Sequence, residues 1–522
     1  MKDAHFIIHD EDLGQDGFLH ATGARYPQRH PTRAVLVLSP TPSPLPRKGF
    51  ERPCWSRDTL PRSSIIVLVV LVLAGCAAPA VAPDKSTDHS DAVADAIGAP
   101  IVADHDHSDP KLHNHSYALE RTALVTGHAG NAPTGEAYAE TAVKGGYAYL
   151  SRYGPESGLA IFDIKDVEHP QFVGAVRLDE GFEPDIEISD DGNWAFWETQ
   201  RFPIAPTVPD VVNPISNAPH GVHIVDISDK AHPKDVGFYP VLPDGPHSIT
   251  YANIGGNDIL FLSVYAFAYA YGPGGMVEPP DQQRLEITQL DTSGPLPTLK
   301  KLAEYIEPGS QGKGEGNFPH DVSVQLHPFT NQTLAYVGYW NQGLVTLDVS
   351  DPAHPKEVSK YTDFGPAKYR AIHMCRAFPE LLAGKHVTVC EPEIGAAQDT
   401  GYMTFIDTSD PAKPAYLSSW ILPGNLTSQG LTFSPHYFDL SGGKVALASY
   451  HAGLWIIDAN PDAALPRSVA FAEMPGTGVR VGIGPFSSSS GSAFDAWWVD
   501  PTHVIAGDSS SGLSAYRLTG DT

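Results

Sequence analysis

The chain has 522 residues, 42% of them hydrophobic and 10% aromatic, enough to bury a large core, and its 48 Gly and 47 Pro suit an all-β protein dense in turns. Its 61 acidic residues against 34 basic ones leave a formal net charge of −27. A field of that sign repels phosphate backbones and argues against nucleic acid as a partner.

Residues 1–60 are mixed, Pro- and Arg-bearing, and no Met occurs between Met1 and Met276. They read as a gene-model artefact, with translation starting at a non-Met codon near Leu60; a disordered cytoplasmic extension is the alternative. Residues 61–76 follow a different pattern. Arg62 precedes the apolar run Ser-Ile-Ile-Val-Leu-Val-Val-Leu-Val-Leu at 64–73, which leads into Ala74-Gly75-Cys76. The run is short for a permanent membrane span. It resembles a bacterial lipoprotein signal peptide with a Leu-Ala-Gly-Cys lipobox. That resemblance implies lipidation of Cys76, a membrane anchor and an extracytoplasmic place in the cell envelope. Ala77 after the Cys favours the outer membrane or cell surface. Residues 77–116 are rich in Ala, Asp, Pro and His, including His89, His105, His107, His113 and His115, and read as a disordered tether.

From about residue 117 the chain repeats. Short apolar runs ending in Asp occur at 158–163 (Gly-Leu-Ala-Ile-Phe-Asp), 221–226 (Gly-Val-His-Ile-Val-Asp), 285–291, 343–348, 402–407 and 453–458, with a seventh at 512–517 that replaces the Asp. Repeats of roughly 40 to 50 residues built of short strands indicate a radial or stacked array, because one unit cannot bury its own apolar face. After the runs at 163, 226, 348 and 407 a second Asp stands three residues on and a Pro seven on. Short carboxylates bond nearby N–H groups and Pro presets φ, so each is a tight turn. These strands resemble the LVIVD repeat family, and the resemblance covers most of 117–518. It implies a β-propeller and says little about activity.

Seven blades can be drawn over 117–518: 140–178, 185–241, 247–306, 320–361, 373–422, 436–474 and 495–518. The last holds only three strand candidates. The stretch 117–126 supplies a fourth, closing the all-β, seven-bladed ring by completing the last blade. Long connections at 202–218 and 266–283 are expected to rise beside one mouth of the axial channel, where loops on a rigid scaffold carry function. Cys375 and Cys390 end two successive strands joined by a hairpin-sized loop. An exported protein permits a disulfide there; two separate buried thiols are the other reading.

Aligning the innermost strands places Glu140, Asp185, His247, His320, His373, His436 and Asp495 at one position. Rotation about a closed ring brings equivalent positions towards one point. His247, His320, His373 and His436 are therefore the candidate metal or ligand contacts. Neutral imidazoles suit Fe, Cu or Zn, and carboxylates behind them can accept their second N–H. Glu140, Asp185, Asp495, Glu198 and Glu391 are candidates for that supporting role, with His451 as a further ligand or acid/base group. His169, His232 and His354 read as turn residues on the opposite face. Four-His iron on a seven-bladed axis is the arrangement of carotenoid cleavage oxygenases, and the selenium-binding protein (methanethiol oxidase) family is similar in outline, although the linear motifs of neither are matched. Three functions follow as expectations. One is a site at the axial mouth for a metal, small molecule, peptide or protein; the second is a mononuclear metal oxidoreductase; the third is a structural or adhesive scaffold. No catalytic residue is assigned.

Overall fold

A computed structural model describes residues 101–102, 117–125, 137–153, 157–178, 185–200, 220–242, 244–265, 283–309, 317–365, 371–393, 402–422, 434–459, 463–475 and 491–520. The readings of 1–60, of 61–76 with Cys76, of most of 77–116 and of the long connections at 202–218 and 266–282 fall outside these residues. Among them the regular structure is entirely β. It forms seven sheets, one per blade, each built on four antiparallel strands that pair in chain order except at the outer edge of blade seven; the sheet of blade five carries a fifth, parallel edge strand.

Each blade lies between two others, so its third strand is covered on both faces and reads as an unbroken apolar run instead of alternating. Gly158–Asp163, Gly221–Asp226 and Gly343–Asp348 are buried throughout except for the terminal Asp. Side chains of adjacent blades interlock. Met374, Val389, Phe405 and Trp420 of blade five share a core with Phe438, Leu447 and Trp455 of blade six, and the Trp420 and Trp455 rings sit 5.7 Å apart.

The recurring Asp explains how each third strand turns. Lys165 N donates to Asp163 Oδ1 at 3.0 Å, and Ser228 N, Ser350 N and Ser409 N do the same to Asp226, Asp348 and Asp407, each at 3.0 Å. The second Asp fixes the next bend: Asp166, Asp229 and Asp351 pair through Oδ2 with Nδ1 of His169, His232 and His354 at 3.1, 2.9 and 2.8 Å. Those three imidazoles are exposed turn residues. At the start of the third strand Gly is required: Gly343 has φ +90°, and a Cβ there would lie 2.2 Å from Tyr361 O.

Blade seven consists of Ala493–Asp500, His503–Asp508 and Gly512–Gly520, with Tyr117–Val125 paired antiparallel to Gly512–Gly520 as the outermost strand. Its Ile505, Leu513 and Ala515 share a core with Leu150 and Ala160 of blade one. Across the same seam Tyr138 N donates to Ser509 O and Thr141 N to Asp495 Oδ2, both at 3.1 Å. The stretch read as a tether departs from expectation at one place. Ile101–Val102 add a short parallel strand beside Ala415–Ile421 on the outer edge of blade five.

Candidate functional site

The four histidines lie at or just before the first residues of the innermost strands of blades three to six, where each strand enters the axis. Pro246–Ile254 carries His247, His320 immediately precedes Asp321–Leu326, Ile372–Ala377 carries His373, and His436 lies just before Phe438–Ser441. Successive rings follow one another at centroid distances of 4.4 Å (His247 to His320), 4.3 Å (His320 to His373) and 4.7 Å (His373 to His436). The Nε2 atoms of His247 and His320 approach to 3.1 Å.

What lies behind each ring decides which nitrogen is available. Gln200 Nε2 donates to Tyr265 O at 3.4 Å, which turns its Oε1 towards His247 Nδ1 at 2.8 Å. His436 Nδ1 donates to the carbonyl of Phe494 at 2.7 Å, and His373 Nδ1 lies 2.6 Å from Glu391 Oε1. In His247 and His436 the N–H is therefore directed away from the centre, leaving Nε2 as a lone pair, and an ionised Glu391 does the same for His373. His373 Nε2 and His320 Nδ1 are buried with no hydrogen-bond partner among the described residues.

A fifth group enters from blade five. Glu393 follows Val387–Pro392, and its Oε2 lies 3.6 Å from His320 Nε2 while Tyr450 OH donates to its Oε1 at 2.7 Å. His320, His373 and Glu393 each offer a donor atom, and these three atoms lie within 4.8 Å of one another.

Aromatic side chains wall the cluster. Tyr265 packs on Phe318 with ring centroids 4.0 Å apart, Phe318 on Trp340 at 5.3 Å, and Trp340 on His320 at 5.0 Å; Tyr450 meets His436 at 4.8 Å. Burial in this dry surround keeps the imidazoles neutral. It pushes His247 down to about 3, with the neighbouring His373 adding to the effect. His320 and His436 are held well below the usual range by burial first and by the adjacent imidazoles second. His373 is lowered by burial, against the opposing pull of Glu393 and Asp321. Burial raises Glu391 well above the ordinary carboxylate range and raises Glu393 too. Neutral imidazole is the form that binds metal.

The other residues singled out in the sequence are distributed differently. Asp185 accepts from Ile249 N of blade three at 2.7 Å and from Ile186 N at 2.6 Å, while Asp495 accepts from Thr141 N of blade one at 3.1 Å and from Trp497 Nε1 at 2.8 Å. Both lace neighbouring blades instead of supporting an imidazole. Glu198 Oε1 accepts from Asp185 N at 3.3 Å, and the acceptor behind His247 is Gln200, two residues further along. Glu140 is buried in the first strand of blade one. In blade six the Tyr450 ring meets His436 at a tilt of 43°, with His451 the next residue in the chain. Gln200, Glu393 and Tyr450 were not anticipated. Each stands one or two residues from a position that was, and strand alternation puts residues two apart on the same face.

A closed ring of four-stranded sheets with its polar residues gathered at the axis defines a β-propeller, here of seven blades. The family profile of the LVIVD repeat matches residues 138–177, 218–241 and 333–363, so the chain is a propeller carrying LVIVD repeats in blades one, two and four. Among solved structures it is similar to the β-propeller domain of Myceliophteria thermophila Cps50 (Swd1), at 11% identity and a TM-score of 0.45, covering 77% of this chain and 100% of that one. No curated protein matches it.

Proposed function

We propose that this propeller holds a single transition-metal ion, Fe, Cu or Zn, at the axial mouth through His247, His320, His373 and His436. The observation that carries the reading is what stands behind the rings: Gln200 Oε1, Glu391 Oε1 and the Phe494 carbonyl lie 2.8, 2.6 and 2.7 Å from Nδ1 of His247, His373 and His436, an arrangement that leaves Nε2 for the cluster. The 3.1 Å between His247 and His320 Nε2 also fits two ligands of one ion. Bonds of about 2.0–2.1 Å at roughly 90–110° put two donor atoms about 2.8–3.4 Å apart. A bound ion would supply Lewis acidity or redox chemistry; the protein's own part is to present neutral imidazoles in a water-poor aromatic wall.

A second, enzymatic reading, a metal oxidoreductase acting on a small substrate, is favoured by one feature. Donors come from four adjacent blades, while Asp185 and Asp495 give their oxygens to backbone N–H groups. One side of the ion would stay open, as catalytic sites require. We further propose that the protein is exported and held on the cell-envelope membrane by lipid on Cys76, on the strength of the lipobox resemblance.

Metal analysis of protein purified without chelators tests the centre. One equivalent is expected in the native chain and a loss of most of it in His320→Ala and His373→Ala. Unchanged content in both variants would remove the axial site. Membrane fractionation of Cys76→Ala tests the anchor, which is refuted if the variant stays with the membrane.

A further inference from the structure

The ring of histidines leaves a charge problem. Four neutral imidazoles around a dication in a dry pocket would bury two positive charges, and an uncompensated buried charge is costly. Glu391, 2.6 Å from His373 Nδ1, is placed to give up its proton and supply one negative charge when an ion binds. Glu393 is placed to provide the other at the ion itself.

Its placement is over-determined. Glu393 N donates to Ala371 O at 3.0 Å, beside the strand that carries His373, and its Oε1 is held by Tyr450 OH from blade six at 2.7 Å. Both anchoring residues adopt left-handed backbone, Ala371 at φ +66° and Tyr450 at φ +40°. Non-glycine residues are strained in that region and persist where surrounding structure enforces them. The free oxygen, Oε2, is the one that faces His320. On the other side of the cluster His373 Nε2 has no hydrogen-bond partner among the described residues.

We infer that Glu393 is a metal ligand, its Oε2 forming with His320 and His373 a face of two imidazoles and one carboxylate that selects a divalent first-row ion of the Fe(II) type over Cu(I). Hard carboxylate oxygen disfavours the soft monovalent ion, and a donor set of imidazole nitrogens with one carboxylate oxygen suits ferrous iron. The inference rests on the proposed metal centre and adds to it a ligand outside the histidine register.

Cobalt(II) is the probe, because its visible ligand-field absorption reports the donor set. The full chain is titrated with Co(II) and compared with Glu393→Gln and Glu393→Asp, with folding followed by circular dichroism. We expect one Co(II) per native chain. Glu393→Gln should bind at least about tenfold more weakly with a shifted spectrum, and Glu393→Asp should retain binding with a smaller shift. A Glu393→Gln spectrum and affinity superposable on the native ones would overturn the assignment of Glu393, while loss of binding in His373→Ala would keep the histidine centre standing. Should Glu393→Gln fail to fold, an unchanged spectrum in Glu393→Asp would overturn it instead. Absence of Co(II) binding by the native chain would overturn the centre and the ligand together.

Discussion

Buried carboxylates near the axis do two different jobs: Glu391 backs the imidazole of His373, whereas Asp185 and Asp495 lace neighbouring blades. Asp495 lies between blades seven and one, accepts three N–H groups, and is raised to about 6, chiefly by burial. A carboxyl whose native pKa exceeds its unfolded value holds its proton in the native state while the unfolded chain releases one. Stability is then lost as pH rises from about 4 to about 6 and is level above that. Asp495→Asn keeps one acceptor oxygen and cannot ionise. At pH 4 the variant should be less stable than the native chain by about 1–3 kcal/mol, for the acceptor it lacks. That deficit should shrink by about 2–3 kcal/mol by pH 6. Denaturant unfolding at the two pH values measures this, and a deficit independent of pH would show that Asp495 is ionised throughout. The residue scale is also where sequence reasoning reached least far. Alignment of inner strands found the four imidazoles because repetition marks them, whereas Gln200 and Glu393 occur once each, after the strands that carry Glu198 and Glu391 have ended in register. Nothing periodic announces them. Their signal is the two-residue spacing from an anticipated carboxylate, which is visible only once the strand's facing is known.

At the scale of elements, blade five ties the hairpin that carries His373 with a covalent link. Ile372–Ala377 and Val387–Pro392 are tied by the Cys375–Cys390 disulfide, across a sequence separation of 15 residues, and Cys375 and Cys390 are directly opposed in the pair. Two residues before Cys375 and one after Cys390, the same strands present His373 and Glu391, joined at 2.6 Å. The covalent link and the hydrogen bond thus hold the same hairpin. Spacing alone left open whether the two thiols meet, because hairpin register depends on the turn between them. A loop of that length gives about 3 kcal/mol from the restricted unfolded state. Cys375→Ala combined with Cys390→Ala should lower unfolding free energy by about that amount and weaken metal binding roughly tenfold or more by loosening the Glu391–His373 pair. Equilibrium unfolding and metal titration of the double variant read both effects. Full stability without the bridge would mean that the apolar contacts between blades four, five and six fix this hairpin by themselves.

For the whole molecule the repeat carries most of the information. Apolar runs, Asp turns and a Gly at the start of most third strands recur because every blade meets the same requirement, burial on two faces, so architecture was readable where individual chemistry was not. The ring has one seam, and its strength is set by chain ends. Blade seven takes its outer strand from residues 117–125 and the other three from residues 493–520. Tyr117–Val125 runs alongside Gly512–Gly520 and packs Leu119 against the core shared with blade six. Arg517 adds a 2.8 Å contact to Glu120, exposed and therefore worth little. Without that strand, Gly512–Gly520 becomes an unpaired edge carrying a buried-type sequence, Gly-Leu-Ser-Ala-Tyr-Arg-Leu-Thr-Gly, the kind of edge that pairs with another chain. A chain beginning at residue 127 should therefore unfold at a lower temperature and aggregate, while one beginning at residue 104 should keep the native melting temperature, because of the described residues it loses only the short strand on blade five. Light scattering during thermal unfolding of the two truncations distinguishes them. Equal behaviour would mean that the apolar seam between blades seven and one closes the circle unaided.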